Sequence, residues 1–366
     1  MKLLAINFGG LGDEVLFLPT LKSIKLANPT WEITLLTEPR GRAIKQLSKV
    51  IDQNIVFDIK KQLKPKDYLD LILLIRKGNY DIVLSSGASS RVSILLFLTG
   101  IPKRIGYDGG SLSKMLLTNP VPLKRDQYAA WMYHDLVRGL GIDLAASAPQ
   151  IDLEEESLAK MRLLLAEKRN NRMTPLVLIH PGMSKLALNK GIIKTWSSSN
   201  WSELIRRLKK ENYDVLLCGG PDDNDTISNI VRNLTSEEAS PGKLINAVGK
   251  TASIQDLAAL MQLADLIVCV DSAPMHMALA LRRRLVALFG PTDPEKLFLA
   301  SEHAIAIRDP NAELVDHNFQ LKSTAGANKN GSADSMSQSE PSVQIPLDTV
   351  FQTVMDQLSR VTSRGS

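Results

Sequence analysis

The chain has 366 residues, of which 44% are hydrophobic and 23% charged; this composition excludes a fibrous or wholly disordered protein and suffices for two domains. Its formal net charge is +5, and residues 1–150 hold 20 Lys and Arg against 13 Asp and Glu. The basic half predicts attraction to an anionic partner or membrane surface, or else simply a solvated lysine-rich surface.

Strand and helix patterns alternate through the first half of the chain. Residues 2–8 predict a buried strand, residues 13–27 a helix and residues 31–38 a second strand. The helix pattern "KDYLDLILLIRKGN" lies between two further strands, "NIVFDI" and "DIVLSS", and "RGRAIKQL" predicts the start of another helix. We interpret "TGIPKRIGYDGG" as a loop and "YAAWMYHDLVRGLGI" as a helix ending near Gly141. Such alternation indicates parallel βαβ units.

A second series of strands and helices follows the charged helix pattern of residues 152–170. Its strands each run into a turn, in "LVLIHPG", "DVLLCGGPDD", "DLIVCVDSAP" and "LVALFGPTDP". The prediction is therefore an α/β protein with two Rossmann-like, doubly wound domains that face a central cleft, where ligands bind beyond the carboxyl ends of the strands.

The predicted boundaries divide the chain into five parts. The insertion is predicted to be disordered because it has almost no large apolar side chains to bury. The parts are an amino-terminal domain (1–165), a linker (166–175), a carboxyl-terminal domain (176–322), the disordered insertion (323–342), and a terminal helix with a tail (343–366).

The two cysteines, Cys218 and Cys269, each end an apolar run and predict small core residues rather than disulfide partners or metal ligands. They favour a reducing compartment. The amino terminus shows no signal-peptide pattern, and the longest apolar runs are far below the ~20 residues that span a bilayer. We therefore expect a cytoplasmic protein that is at most peripheral to a membrane.

The turn "VCVDSAPMH" in the second half suits an anion. Ser272 is a good N-cap and Pro274 fits a first helical turn, so backbone N–H groups and the helix dipole there can hold a phosphate. His276 could add a donor, and Asp271 could accept from a ribose or sugar hydroxyl. The alternative is that Ser272 merely caps the helix and that His276 is an ordinary first-turn residue.

Three other strand ends add side chains to the same half. Ser184 and Lys194 could reach a diphosphate, Asp222 and Asp223 could bind a ribose, and Thr292 would lie near the Asp271 turn. The alternative is ordinary turns and a solvated loop lysine. The chain contains no Walker lysine motif, zinc-ligand pattern or GxSxG elbow. A nucleotide-diphosphate pocket without a metal is therefore predicted.

The opening "NFGGLGDEVLFLP" departs from the dinucleotide fingerprint. Gly10 and Gly12 fit that pattern and Glu38 ends the second strand, but Val15 stands where the third glycine is needed. Asp13 would repel a pyrophosphate. We therefore expect the glycines to let an acceptor approach and Asp13 to act as a general base, which a helix N-terminus would stabilise as a carboxylate. The alternative is that Asp13 only caps its helix.

Together these motifs resemble the heptosyltransferase family, glycosyltransferase family 9. "GGLGDEVLFLPTLKSIKLANPTWEITLLT" is similar to the family's opening, and "TGIPKRIGY", "HPGMS…KTW", "LLCGGPDD", "DSAPMHMALAL" and "LVALFGPTDP" resemble its later motifs in order. The resemblance covers residues 3 to about 297. It implies a GT-B fold and inverting transfer from a nucleotide-diphosphate sugar to a glycan or glycolipid. Known members use ADP-heptose and build the lipopolysaccharide core at the cytoplasmic face of the inner membrane.

The resemblance also implies roles for individual residues. Asp13 would be the general base, and Lys194 would stabilise the departing diphosphate. Lys185 or Lys190 is the alternative for this contact, because ten residues, "KLALNKGIIK", fill the gap before "TW". Residues implied in donor binding are Ser184, Asp222, Asp271, Ser272, Ala273, His276 and, near them, Thr292. No cofactor beyond the nucleotide-sugar co-substrate and no nucleic-acid partner is expected. Two rival functions stay open: an NAD(P)-binding oxidoreductase that uses the opening glycines, and a non-catalytic sugar-nucleotide-binding protein.

Overall fold

The computed structural model of the protein describes residues 1–169, 173–189, 191–239, 244–315 and 342–362. The insertion predicted at 323–342 lies outside these ranges apart from Ser342, and the predicted linker lies partly outside them. The predicted domain boundaries therefore stay predictions.

The first half is built on a six-stranded parallel sheet in the order β3-β2-β1-β4-β5-β6. Its strand order reverses between β1 and β4, and the carboxyl ends of these two strands form the expected ligand edge. The strands are β1 (Lys2–Ile6), β2 (Glu32–Thr37), β3 (Gln53–Val56), β4 (Ile82–Ser85), β5 (Lys103–Tyr107) and β6 (Asn119–Val121).

The second half repeats this plan with the order β12-β11-β10-β7-β8-β9, again all parallel. The order reverses between β7 and β10, which end at the predicted diphosphate turns. The strands are β7 (Leu176–His180), β8 (Asp214–Leu217), β9 (Leu244–Asn246), β10 (Leu266–Val270), β11 (Leu285–Phe289) and β12 (Ala304–Arg308).

Helices cover both faces of each sheet. Within the described ranges, 3₁₀ segments occur at Pro39–Leu47, Asp135–Leu140 and Pro221–Asp223. The α-helices are α1 (Leu11–Ala27), α2 (Pro65–Lys77), α3 (Ser90–Leu98), α4 (Ser111–Leu116), α5 (Ala129–His134), α6 (Glu155–Lys168), α7 (Lys185–Asn189), α8 (Ser198–Lys210), α9 (Asn224–Arg232), α10 (Ile254–Leu263), α11 (Ala273–Ala280), α12 (Pro294–Leu297) and α13 (Leu347–Thr362).

The predicted α/β class with two doubly wound halves is confirmed by the two sheets. Their central strands are apolar on both faces and fully buried, as expected of parallel sheets covered by helices. Cys218 and Cys269 lie buried in the second half as free thiols, as predicted. No helix within the described ranges combines the length and apolar character needed to cross a bilayer.

Two local predictions were wrong. "TGIPKRIGYDGG" contains β5 rather than only a loop, because Ile105 and Tyr107 are buried against the core while Arg104 donates to the carbonyls of Ile101 and Leu116. Lys103 and Arg104 at the start of β5 made the segment resemble a loop in the sequence. The segment "RGRAIKQL" forms a 3₁₀ helix instead of an α-helix. The predicted end at Gly141 is confirmed, since this glycine adopts a left-handed φ of 78° after the 3₁₀ turn.

The two halves meet along several helices. The first turns of α1 and α11 pack against each other, and α10 lies against α6 and the Pro39–Leu47 segment. Gln255, on α10, is buried and donates its amide to the carbonyls of Gln46 and Asp152, while its Oε1 accepts the Glu154 N–H at 3.1 Å. This side chain ties the second half to the first and to the segment that precedes α6.

Candidate active site

Asp13 lies in the first turn of α1, directly after the glycines of the opening loop. Its Oδ2 accepts the Gly10 N–H at 2.9 Å, and its Oδ1 accepts the Tyr133 hydroxyl at 3.4 Å. The carboxylate therefore does cap its helix, as the alternative reading expected. The side chain is also only half-buried, so it can meet a substrate from the cleft.

The space beside the opening glycines is mostly filled. A Cβ on Gly9 would overlap the Asp13 side chain at 2.2 Å, and one on Gly12 would meet Cδ2 of His276 at 2.7 Å. Only at Gly10 would a Cβ find no atom closer than 3.6 Å. The expectation that Gly12 leaves room for an acceptor is therefore wrong, because the second half occupies that space. For Gly10 it stays a prediction.

Asp271 is the centre of a buried ionic cluster beyond the end of β10. Its Oδ2 accepts from Lys194 Nζ at 2.6 Å and from Thr292 Oγ1 at 2.6 Å. Burial opposes ionisation of Asp271, but the positive charges of Lys194 and His276 and the two hydrogen bonds hold its pKa below the ordinary value. The carboxylate is therefore ionised, and the cluster carries a fixed cation at the cleft.

The N-terminus of α11 is open to an anion. Ser272 occupies the N-cap position, but its hydroxyl donates to the Val270 carbonyl at 3.2 Å. Within the described part of the chain, no side chain caps this helix start. Ser272, Ala273 and His276 thus surround an uncapped first turn whose dipole favours negative charge. The alternative that Ser272 merely caps is not what the hydrogen bonds show.

The two remaining donor-side candidates are exposed. Ser184 precedes α7 and accepts the Ala187 N–H at 3.3 Å. Asp222 forms an ion pair with Lys185 at 3.4 Å, and both side chains are more than half exposed. Both residues lie at the carboxyl edge of the second sheet, and neither contacts the Asp271 cluster. A role for Asp222 at a ribose stays a prediction. Lys190, which lies between Ser184 and Lys194 in the sequence, is outside the described residues.

Three buried polar residues lie near the site; the sequence reasoning missed Tyr133 and Glu14, and it named Asp223 only as a possible ribose ligand, which stays a prediction. Tyr133 hydrogen-bonds Asp13 from 120 residues away. Burial, followed by the charge of Asp13, raises its pKa well above the ordinary value, so it remains a donor. Asp223, next to Asp222, is buried and lies 3.8 Å from Nε2 of His180. Of the two missed residues, only Glu14 left a signal, because it stands with Asp13 at the start of an apolar helical run.

Glu14 is fully buried beside Asp13. No hydrogen bond of ordinary geometry reaches either of its carboxylate oxygens, although the Asn7 amide lies close enough to favour the charged form slightly. Burial first, and then the charge of Asp13, raise the pKa of Glu14 well above its ordinary value. The folded protein therefore favours the protonated form of Glu14 more strongly than the unfolded chain does.

This raised pKa predicts how stability depends on pH. Above pH 4.5, the ordinary Glu pKa, the unfolded chain releases a proton that folded Glu14 keeps, so stability falls as pH rises towards the folded pKa. Glu14→Gln removes this proton uptake and should stabilise the protein at pH 7.5, relative to pH 4.5, by about 1–3 kcal/mol, because each tenfold difference in proton affinity between the folded and unfolded states is worth about 1.4 kcal/mol. Urea unfolding at pH 7.5 and 4.5 measures it, with the gain shrinking at pH 4.5.

Glu155→Gln is the matched control, since the Glu155 side chain is 77% exposed. It should leave stability unchanged at both pH values. If Glu14→Gln lost as much stability at pH 7.5 as at pH 4.5, or more, the raised pKa of Glu14 would be contradicted.

In the described ranges, no group of three His, Cys, Asp or Glu side chains is placed to hold a metal ion. The residues that the structure does bring together at the cleft are therefore an acid of the first half and an ionic cluster and helix N-terminus of the second. They are Asp13, Lys194, Asp271, Ser272, Ala273, His276 and Thr292.

Comparisons with known proteins identify relatives of this chain in sequence and in fold. The chain is 26% identical to lipopolysaccharide heptosyltransferase 2 of Salmonella typhimurium over 317 residues, covering 84% of this chain and 88% of that protein. Its fold matches that of E. coli ADP-heptose lipopolysaccharide heptosyltransferase II, with a TM-score of 0.69, 23% identity and coverage of 86% and 92%.

A second solved structure shares the fold. It is an E. coli heptosyltransferase with ADP-2-deoxy-2-fluoro heptose, with a TM-score of 0.64, 19% identity and coverage of 86% of this chain and 95% of that one. These matches confirm the GT-B fold. The family model for glycosyltransferase family 9 (heptosyltransferase) matches residues 69–323. The chain belongs to glycosyltransferase family 9 and is a glycosyltransferase.

Proposed function

We propose that the protein transfers a heptose from ADP-heptose to a lipopolysaccharide-type core acceptor, with inversion at the anomeric carbon and Asp13 as the general base. One observation carries the proposal. Gly12, the residue before Asp13, abuts His276 and the Ala273 backbone at the start of α11. The base of the first half and the anion site of the second are thus close neighbours, which suits direct transfer between a donor and an acceptor bound on the two halves.

The donor would occupy the second half. Its diphosphate would lie at the uncapped N-terminus of α11, where Ser272 and Ala273 approach it and Lys194 supplies a positive charge. Asp271, held ionised by Lys194 and Thr292, would accept from a donor hydroxyl. The names of the relatives, which include ADP-heptose and an ADP-heptose analogue, support an ADP-linked donor.

The reaction would be a single in-line displacement. The acceptor hydroxyl oxygen attacks the anomeric carbon while its proton passes to Asp13, and the bond from that carbon to the diphosphate oxygen breaks. Lys194 and the α11 dipole stabilise the negative charge that develops on the departing ADP. The Gly10 N–H and the Tyr133 hydroxyl orient the Asp13 carboxylate without protonating it. One displacement inverts the configuration.

The acceptor would be a glycan or glycolipid bound by the first half. The relatives in sequence include lipopolysaccharide heptosyltransferases, which supports an acceptor of this class. As the resemblance implies, we place the reaction at the cytoplasmic face of the inner membrane. A basic first half is suited to an anionic surface there.

The oxidoreductase alternative finds less support in the geometry. A dinucleotide pyrophosphate needs the backbone N–H groups of the glycine loop. Here the Gly10 N–H is already used by Asp13, and the Asp13 side chain fills the space beside Gly9. A carboxylate in this position also repels phosphate. A non-catalytic binding protein would not need Asp13 at the cleft, so the mutation described in the Discussion separates it.

Donor choice is tested by a thermal-shift screen against ADP-heptose and against GDP-, UDP- and dTDP-sugars. A ligand that binds only the folded state stabilises it by about 2.7 kcal/mol at 100 times its Kd. For a protein of this size we expect a rise in Tm of several degrees with ADP-heptose. A shift with another nucleotide and none with ADP-heptose would overturn the donor assignment.

A further inference from the structure

Half of the exposed large hydrophobic side chains lie on three consecutive helices of the first half. Of eighteen such residues in the described ranges, nine are on α2, α3 and α4, which together comprise 28 residues. Six of them form what we call the apolar patch: Leu69, Leu73, Ile94, Phe97, Leu98 and Met115. Scattered exposed hydrophobics are ordinary, but a concentration of this kind marks an interaction surface.

The α2 and α3 parts of the patch are joined. Leu69 and Leu73 are one helical turn apart and share a side of α2, with Arg76 a further turn along. The Arg76 guanidinium crosses to α3 and donates to the Leu98 carbonyl at 2.8 Å and to the Thr99 carbonyl at 3.2 Å. The α2 stripe therefore runs directly into the exposed end of α3.

The α4 part continues the same surface. Ser93 of α3 donates to Ser113 of α4 at 2.9 Å, which holds the two helices together below the exposed side chains. Met115 on α4 is 72% exposed. The Arg104 guanidinium lies 5.7 Å from the centre of the Phe97 ring, so a cation sits within the apolar surface itself.

The patch faces away from the second half. The inward sides of α2 and α3, including Leu71 and Leu96, pack on one face of the first sheet with Leu4 and Val83. The opposite face is covered by α1, which is the helix that contacts the second half. In the described structure, the patch is thus left as the outer surface of the first half.

Basic side chains surround the patch. Residues 60–116 contain ten Lys and Arg against four Asp, so this segment is more positive than the whole chain. Lys66, Lys77 and Arg91 are exposed on α2 and α3, and the Lys114 side chain is 64% exposed on α4. An apolar surface rimmed by Lys and Arg has the chemistry of a peripheral membrane contact.

We propose that the apolar patch and its basic rim dock the protein on an anionic lipid bilayer. The patch would enter the boundary between headgroups and acyl chains while the rim pairs with lipid phosphates. The positive charge of the rim favours an anionic bilayer over an uncharged apolar protein surface, which would leave the rim unpaired. A basic partner is disfavoured as well, because the rim has few carboxylates. The patch is separate from the transfer site, so lipid binding does not depend on the proposed function. Only the idea that docking serves transfer to a membrane-anchored acceptor rests on that function.

The fold connects this surface to the site. Helices α2, α3 and α4 each follow a parallel strand, so they begin at the carboxyl edge of the first sheet, where Asp13 also lies. Leu73, Phe97, Leu98 and Met115 lie in the later turns of these helices, so the patch covers the outer face of the first half and Asp13 lies at the border of that face. Docking through the patch would hold the first half, which carries Asp13, against the bilayer.

Vesicle co-flotation of the full chain without donor or acceptor tests the proposal. We expect binding to phosphatidylcholine vesicles that contain phosphatidylglycerol, weak binding to phosphatidylcholine alone, and loss at high salt. The Leu73→Glu/Phe97→Glu variant should bind at least tenfold more weakly. Lys66→Glu/Arg91→Glu should weaken binding by about fivefold or more for each basic charge removed.

Leu26→Glu/Leu163→Glu is the matched control, since these leucines are 65% and 67% exposed on α1 and α6, outside the patch. It should bind as the wild type does. All variants should keep wild-type transfer to a water-soluble acceptor, so failure of the transfer chemistry and failure of docking are distinguishable. Equal binding to neutral vesicles, or a wild-type dimer that Phe97→Glu dissociates, would overturn the proposal.

Discussion

Asp13→Asn is expected to lower kcat for sugar transfer by about 10²–10⁴-fold while the affinity for ADP-heptose stays near that of the wild type. An amide cannot accept the acceptor proton, and general-base catalysis contributes a factor of this size. Donor affinity should survive because the donor residues Lys194 and Asp271 lie in the second half. Single-turnover rates and calorimetric titration with ADP-heptose measure the two quantities separately.

The control must account for the capping role of Asp13. Asp67 occupies the same position in α2 and accepts the Lys64 N–H at 2.7 Å, just as Asp13 accepts that of Gly10. Asp67→Asn therefore removes an equivalent helix-capping charge outside the cleft. It should cost no more than about 1 kcal/mol of stability and should leave transfer intact. Wild-type transfer in Asp13→Asn would remove Asp13 from the mechanism.

Lys194→Met is the second change with a large expected effect. It removes the cation nearest the proposed diphosphate and should lower kcat by about 10²–10³-fold, as loss of a preorganised charge-stabilising group does. It also leaves the buried Asp271 carboxylate without its ionic partner, which should cost about 3 kcal/mol of stability. Steady-state kinetics and urea unfolding measure these effects.

Two further variants separate the two roles of Lys194. Lys194→Met/Asp271→Asn removes both buried charges. The side-chain amide oxygen at position 271 can still accept from the Thr292 hydroxyl. It should recover most of the lost stability while transfer stays low. Lys185→Met removes an exposed lysine whose partner Asp222 is also exposed, and it should change neither quantity appreciably. Full transfer in Lys194→Met with a large loss in Lys185→Met would assign the diphosphate contact to Lys185.

Much of the architecture could be predicted from local sequence pattern. Apolar runs of five residues followed by glycine or polar turns mark the central strands, and the turn after β10 was expected to start a helix at a phosphate site. β5 escaped prediction because Lys103 and Arg104 occupy its first two positions. Its strand character depends on pairing with β4, which no local window contains.

The contacts within the site could not be read from the sequence. Lys194 meets Asp271 across 77 residues, and Tyr133 reaches Asp13 across 120. The helix after Asp13 was predicted, but the space beside Gly12 is taken by His276, which belongs to the other half. Sequence pattern places such residues at the same edge of a sheet, whereas their pairing depends on how two domains pack.

The most direct test of the proposed function is a product measurement with the purified wild-type protein. ADP-heptose and a lipopolysaccharide core that lacks its terminal heptose are incubated together, and the acceptor and free ADP are quantified by mass spectrometry. We predict that the acceptor gains one heptosyl residue for each ADP formed, with inverted anomeric configuration. Release of ADP without a mass gain in the acceptor, or transfer only from another nucleotide sugar, would contradict it.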